Sequence, residues 1–89
     1  MEHILTETRL ISTPQGNVSI RYELLAQKAD GGITLYGAAI TNEMTGEQEQ
    51  IMKITSDERR ASEFFERISR GLVTPVTFID VAEDFVAES

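Results

Sequence analysis

The feature that most constrains this chain is a change in the spacing of its apolar residues past the midpoint. In the first half, Val18, Ile20, Tyr22 and Leu24 occupy every second position, which is the period of a half-buried β-strand. In the second half, the apolar residues follow the roughly 3.6-residue period of a helix that is apolar on one side. That helical stripe comprises Ala61, Phe64, Phe65, Ile68 and Leu72. Strands followed by helices predict an α+β fold.

Turn sequences divide the first half into antiparallel strands. The segment Thr13-Pro14-Gln15-Gly16 joins a proline to a glycine that tolerates positive φ, and it predicts a three-residue loop from Pro14 to Gly16. Asp30-Gly31 is typical of a two-residue type I′ hairpin. A turn at Met44-Thr45-Gly46 precedes a less apolar strand, which is expected at the sheet edge. We therefore expect an antiparallel meander sheet of three to four strands, followed by two C-terminal helices packed on one face.

The whole chain, residues 1–89, is predicted to form a single domain. Strands are expected at about 3–12, 18–28, 33–42 and 49–54, and helices at about 56–70 and 77–87. The sequence does not determine the register of the fourth strand. The second helix has two interpretations, in which either Thr77 caps it with Asp80 nearby, or Thr74 caps it and Pro75 lies in the first turn.

The predicted turns also indicate which residues share a face of the sheet. A two-residue Asp30-Gly31 loop places Leu24 opposite Gly37 on the core face. The predicted three-residue loop from Pro14 to Gly16 places Ile4 and Leu10 on the same face. The opposite face then carries an apolar group of Leu5, Leu25, Tyr36, Ala38 and Ile40. We interpret this group as an interface for a homodimer or a protein partner, with its tyrosine near a two-fold axis.

Composition excludes several classes of partner. Eight Lys and Arg residues against fifteen Asp and Glu residues give a net charge of −7, which repels phosphate backbones, so we expect no nucleic acid. No apolar run is long enough to cross a bilayer, so we expect no membrane association. The chain has no cysteine, and a cysteine-free small domain fits a reducing, cytoplasmic location.

Residues with catalytic or ligand-binding chemistry are few. His3 is the one histidine and lies near the N-terminus, where an exposed strand position explains it. Asp30-Gly31-Gly32 joins two strands, and a phosphate-binding loop would instead begin a helix. We therefore predict no catalytic residue, metal or cofactor, and a protein that is not an enzyme. The alternative is a small-molecule binding protein or minor enzyme with a cleft near Thr74-Pro75, lined by Tyr22 or Asp80.

Three segments carry a resemblance to a known family. They are Arg21-Tyr22-Glu23-Leu24-Leu25, Gly32-Ile33-Thr34-Leu35-Tyr36-Gly37, and Val73-Thr74-Pro75-Val76 running into Asp80-Val81-Ala82-Glu83-Asp84-Phe85. Together they resemble a family of short, uncharacterised Firmicute-type proteins that is known as a domain of unknown function. The resemblance implies a compact, cytoplasmic bacterial protein, and it implies no activity, cofactor or partner. The biochemical function is thus unknown, and we interpret the chain as a small interaction or regulatory module.

Overall fold

The described residues form one four-stranded sheet with two helices on one face. The computed structural model describes the backbone of residues 2–88 and the side chains of residues 4–88. The elements are strands β1 (Glu2–Thr13), β2 (Gly16–Lys28), β3 (Thr34–Asn42) and β4 (Gln48–Thr55), a short 3-10 turn (Asp30–Gly32), and helices α1 (Glu58–Arg70) and α2 (Pro75–Ala87). The strands pair antiparallel in the order β1-β2-β3-β4. The predicted α+β class and meander topology are confirmed.

The first hairpin is shorter than predicted. Thr13 pairs directly with Gly16, so Pro14 and Gln15 form a two-residue loop. The Thr13 hydroxyl donates to the Gly16 carbonyl at 2.6 Å and stabilises this turn. The predicted three-residue loop was wrong by one residue, and because side chains alternate along a strand, the faces of β1 are reversed. Leu10, predicted in the core, lies on the outer face and is 68% exposed.

The second hairpin is longer than predicted. Its loop contains the three residues Asp30–Gly32 and is closed by the Ala29 N–H, which donates to the Ile33 carbonyl at 2.7 Å. Both glycines contribute, because Gly31 and Gly32 have φ values of 82° and 79° that other residues rarely adopt. The extra residue moves β3 by one position relative to the prediction. Leu24 therefore pairs with Ala38 and not with Gly37.

The two helices cover the face of the sheet that carries Tyr22 and Leu24. Helix α1 lies over β2, and α2 packs mainly against β4. Between helices and sheet, the Phe64 ring centroid lies 5.0 Å from that of Phe85 and 6.1 Å from that of Phe78. The buried core consists of Ile20, Tyr22, Leu24, Ala26, Tyr36, Ala38, Ile40, Ala61, Phe64, Phe65, Ile68, Phe78, Ala82 and Phe85.

Local capping sets the helix boundaries. Asp57 is the N-cap of α1, and its carboxylate accepts the Arg59 N–H at 2.9 Å. Helix α2 begins at Pro75 with Thr74 at the N-cap position, although the Thr74 side chain makes no capping hydrogen bond; of the two sequence interpretations, the one that places Pro75 in the first turn has the correct start. Proline suits this first position because the first N–H groups of a helix have no intrahelical partner.

Strand β4 is an edge strand that is interrupted by an irregularity. Ala38 pairs with Ile51 and Tyr36 pairs with Thr55, so β4 contains two more residues than β3 between these pairs. Lys53, within this extra segment, has a φ of 62°, which is uncommon for a residue with a side chain. Such a bulge twists the strand and disrupts its outer row of backbone groups.

Candidate functional site

The structure does not bring the predicted interface residues together on one surface. Tyr36, Ala38 and Ile40 lie beneath the helices in the core. Leu25 remains on the outer face but is only 1% exposed, and Leu5 faces the helix side with 45% exposure. The predicted interface centred on Tyr36 is therefore wrong. The physical cause of this error is the Asp30–Gly32 loop, which is one residue longer than predicted and so reverses the faces of β3.

The outer face of the central strands is already occupied by its own side chains. Arg21 forms ion pairs of 3.2 Å with both Glu23 and Glu43. A Cβ atom at Gly37 would lie 2.6 Å from the Met52 sulfur, so Met52 covers Gly37 on this face. Leu25 is the cross-strand neighbour of Gly37 and lies beside it. The centre of the outer face thus consists of the Arg21 ion pairs and, beside them, apolar residues that Met52 shields from solvent.

The free edge of β1 is the most exposed part of the sheet. Among the described residues, β1 pairs with β2 alone and has no strand on its other side. This strand is 12 residues long, and Ile4, Leu5 and Leu10 expose large aliphatic side chains on it. Proline and lysine, which commonly protect edge strands, are absent from its sequence. The opposite edge, β4, has its bulge as protection, whereas the irregularity of β1 lies near its N-terminal end, between His3 and Leu5.

The hairpin geometry shows which backbone groups of β1 are free. In a two-residue hairpin the residues flanking the loop form a hydrogen-bonded pair, and successive residues direct their N–H and C=O groups to opposite sides. Because Thr13 and Gly16 flank the loop, the odd-numbered residues from 7 to 13 bond to β2. Thr6, Thr8 and Leu10 therefore direct their backbone donors and acceptors away from the sheet.

A groove of about 390 Å³ runs between β1 and α1. Two of its side chains form an ion pair, in which Arg9 Nη2 lies 3.0 Å from Glu7 Oε2. Arg9 Nε is buried and has no hydrogen-bond partner among the described residues. The groove contains both apolar and charged side chains, and its lining is Leu5, Thr6, Glu7, Arg9, Ser62, Phe65, Glu66 and Arg70. Two acidic and two basic residues make this lining electrically neutral in a chain of net charge −7.

Tyr22, the cross-strand partner of Glu7 in this groove, links two parts of the fold. Its side chain is fully buried, and its hydroxyl donates to the Val73 carbonyl at 2.7 Å, which connects β2 to the segment between the two helices. Burial raises the pKa of Tyr22 to about 12, an effect that the positive charge of Arg9 partly opposes. Tyr22 was expected as a polar wall of a cleft near Thr74-Pro75. The structure places it in the core instead.

A second, smaller cleft of about 230 Å³ does lie beside Thr74 and Pro75. Its lining is largely apolar and consists of Ile11, Thr13, Val18, Ile20, Asn42, Glu47, Thr74, Pro75 and Val76. Asp80, the other expected polar residue, does not line it. The volume lies below the roughly 300–1,000 Å³ of ordinary ligand pockets.

A model of one protein family, described as "Family of unknown function (DUF6514)", matches residues 1–88. The chain belongs to this family. No curated protein and no solved structure matches it. Family membership confirms the resemblance to an uncharacterised domain, whereas a Firmicute-type origin stays a prediction.

The described side chains form no cluster of metal ligands. Among them, no three or more His, Asp and Glu residues lie close enough together to hold a metal ion. The side chain of His3, predicted as an exposed strand residue, lies outside the described part. Within the part of the chain that the structure describes, neither helix has the length and apolar character needed to span a bilayer.

The β1 edge was not predicted as a binding surface, because the predicted interface was an apolar face of the sheet and not the edge of a strand. The sequence did contain a signal for this edge. The predicted first strand of the meander, which includes Thr6, Thr8 and Leu10, contains no proline or lysine. The first strand of a meander has a neighbour on one side only, and that topology was predicted correctly.

Proposed function

We propose that this protein is a protein-interaction module that binds an extended polypeptide segment along the free edge of β1. The observation that carries this proposal is the row of outward backbone groups on Thr6, Thr8 and Leu10, on a long edge strand without proline or lysine. An incoming strand would satisfy these groups by adding to the sheet, as in other complexes formed by strand addition.

The side chains around the edge supply the specificity of such a complex. Alternate residues of an added strand would lie against the groove between β1 and α1, where Leu5 and Phe65 offer apolar contact and Glu7 and Arg9 offer charge. The intervening residues would lie on the outer face beside Leu10, which is exposed. Backbone hydrogen bonds then contribute affinity, and these two rows of side chains select the sequence. The cysteine-free composition supports a cytoplasmic setting for this role.

A selection experiment tests the proposal with peptides of random sequence. Peptides about as long as β1, displayed on phage, are selected on the purified protein, and the affinity of the enriched peptides is measured by fluorescence polarisation. We expect Thr8→Pro, which removes an outward N–H, to weaken binding at least about tenfold. Thr8→Val is the matched control, because it keeps the N–H and suits a strand. Urea unfolding of each variant verifies that it is folded.

A second variant and a second measurement make the test independent of proline strain. Leu10→Lys places a charge beside the free edge, as natural edge strands often do, and we expect it to weaken the same peptides. Amide exchange of Thr6, Thr8 and Leu10 should slow when a peptide is bound. Peptides that bind Thr8→Pro and the parent equally, or a selection on a monomeric parent that enriches no peptide, would refute the proposal.

The cleft beside Thr74 and Pro75 supports a second candidate function, the binding of a small apolar ligand. Its lining includes Val76, an aliphatic side chain that is 81% exposed. Its small volume makes it the weaker candidate.

A further inference from the structure

We infer that the strand bound at this edge is β1 of a second copy of the chain, antiparallel to the first about a two-fold axis at Thr8. This inference rests on the proposed function, because it names the partner of the same free edge. Two sheets would join into one continuous sheet, with the helices of both copies on the same face.

Backbone geometry limits the ways in which two β1 strands can pair. Hydrogen bonds form only when outward residues of one strand oppose outward residues of the other. Thr6, Thr8 and Leu10 are outward and the residues between them are not, so the two-fold axis must pass through a residue rather than between residues. Near the strand centre this leaves three registers, with the axis at Glu7, Thr8 or Arg9.

Charge then selects one of these three registers. An axis at Glu7 places two glutamates directly opposite each other, and an axis at Arg9 does the same with two arginines. An axis at Thr8 places Glu7 opposite the second copy's Arg9, and this pairing occurs twice by symmetry. Opposite charges on directly opposed residues stabilise a strand pair, whereas like charges destabilise it. The register at Thr8 is therefore the favourable one.

The remaining pairs in this register are also compatible. Leu5 opposes the second copy's Ile11 on the helix side, which is an apolar pair, and Thr6 opposes the second copy's Leu10 on the outer side. The three outward pairs exchange about six backbone hydrogen bonds. The groove beside the edge is electrically neutral, so its side chains add no net repulsion between the two acidic chains.

A charge-exchange experiment tests both the dimer and its register. Sedimentation measurements compare the parent with Glu7→Arg, Arg9→Glu, the double variant that carries both changes, and an equal mixture of the two single variants. Each single variant creates two repulsive pairs, and we expect its dimer dissociation constant to rise at least about tenfold. The double variant restores opposite charges, so its dissociation constant should return to within about threefold of the parent value.

The mixture of the two single variants provides an independent check on the same register. One variant carries two basic side chains at the exchanged positions, and the other carries two acidic ones. Every directly opposed pair between the two different chains is then of opposite charge, so we expect the mixture to form a heterodimer.

The outcomes separate this inference from the proposed function. A parent that stays monomeric up to about 1 mM while selected peptides still bind its β1 edge would overturn the dimer and leave the interaction module standing. A dimer that the double variant does not restore, although that variant unfolds in urea like the parent, would overturn the register at Thr8. A monomeric parent together with a selection that enriches no peptide would overturn both proposals.

Discussion

Replacing Tyr22 by Phe should destabilise the fold through the loss of one buried hydrogen bond. The Tyr22 ring is fully buried in β2, and its hydroxyl donates to the Val73 carbonyl at 2.7 Å. Phe retains the ring, so the loss of packing is small. Removing the donor leaves the Val73 carbonyl without its partner, and we expect the free energy of unfolding at neutral pH to fall by about 1–2 kcal/mol.

The same substitution should also remove part of the pH dependence of stability. The ordinary tyrosine pKa is 10.0, and burial raises that of Tyr22 to about 12. The unfolded chain thus releases this proton at lower pH than the folded chain does. The stabilisation from Tyr22 is complete below pH 10 and is lost as the pH rises toward 12. Two pKa units correspond to about 2–3 kcal/mol of unfolding free energy.

Urea titrations of the parent and Tyr22→Phe, at neutral pH and then from about pH 9 to about pH 12, measure both effects. Groups other than Tyr22 titrate in both proteins, so the difference between the two unfolding free energies isolates this tyrosine. We expect the parent to be more stable at neutral pH and to lose that advantage near pH 12. Equal stability at neutral pH, or a difference that does not change with pH, would refute the assignment of Tyr22 as a buried donor.

Three further predictions concern packing and the smaller cleft. Phe64→Ala and Phe85→Ala should each lower the free energy of unfolding by about 3–5 kcal/mol, since both rings are buried and lie 5.0 Å apart; a loss below about 1 kcal/mol in urea would contradict this packing. Gly37→Ala should cost about 1–3 kcal/mol, because the added Cβ would lie 2.7 Å from Met52 Cα; an unchanged urea midpoint would show that β4 does not pass so close. If the cleft beside Pro75 binds an apolar ligand, thermal unfolding in a metabolite screen should show a stabilisation of about 2.7 kcal/mol at a hundredfold excess over the dissociation constant. Val76→Asp should abolish that shift, and no shift with any compound would exclude this candidate for the compounds screened.

The elements of this fold could be predicted from the sequence because their signals are local. Alternation from Val18 to Leu24 and the stripe containing Phe64 and Phe65 each lie within one element, and both elements are present. The register depends instead on the number of residues in each loop. Proline and two glycines marked the hairpin loops correctly, but each loop length was wrong by one residue, in opposite directions.

A signal against the predicted register of β3 was present in the composition of its two faces. That register placed Tyr36, Ala38 and Ile40 on the open face and Gly37 on the core face. An open face is expected to be the more polar one, and the true register places the larger side chains in the core. The absence of a side chain at Gly37 is explained by the close approach of Met52 on the outer face.

In β1 the distribution of polar and apolar residues does not indicate which face is buried. An apolar pattern specifies register only where one face of a strand is buried. In β1 the central residues Glu7, Thr8 and Arg9 are exposed or half-buried, so either assignment of faces is compatible with the sequence and only the loop length decides. The order of charges at Glu7 and Arg9 does little for packing within the chain. In the proposed dimer that order determines the register, because it favours one axis among the three that backbone geometry allows.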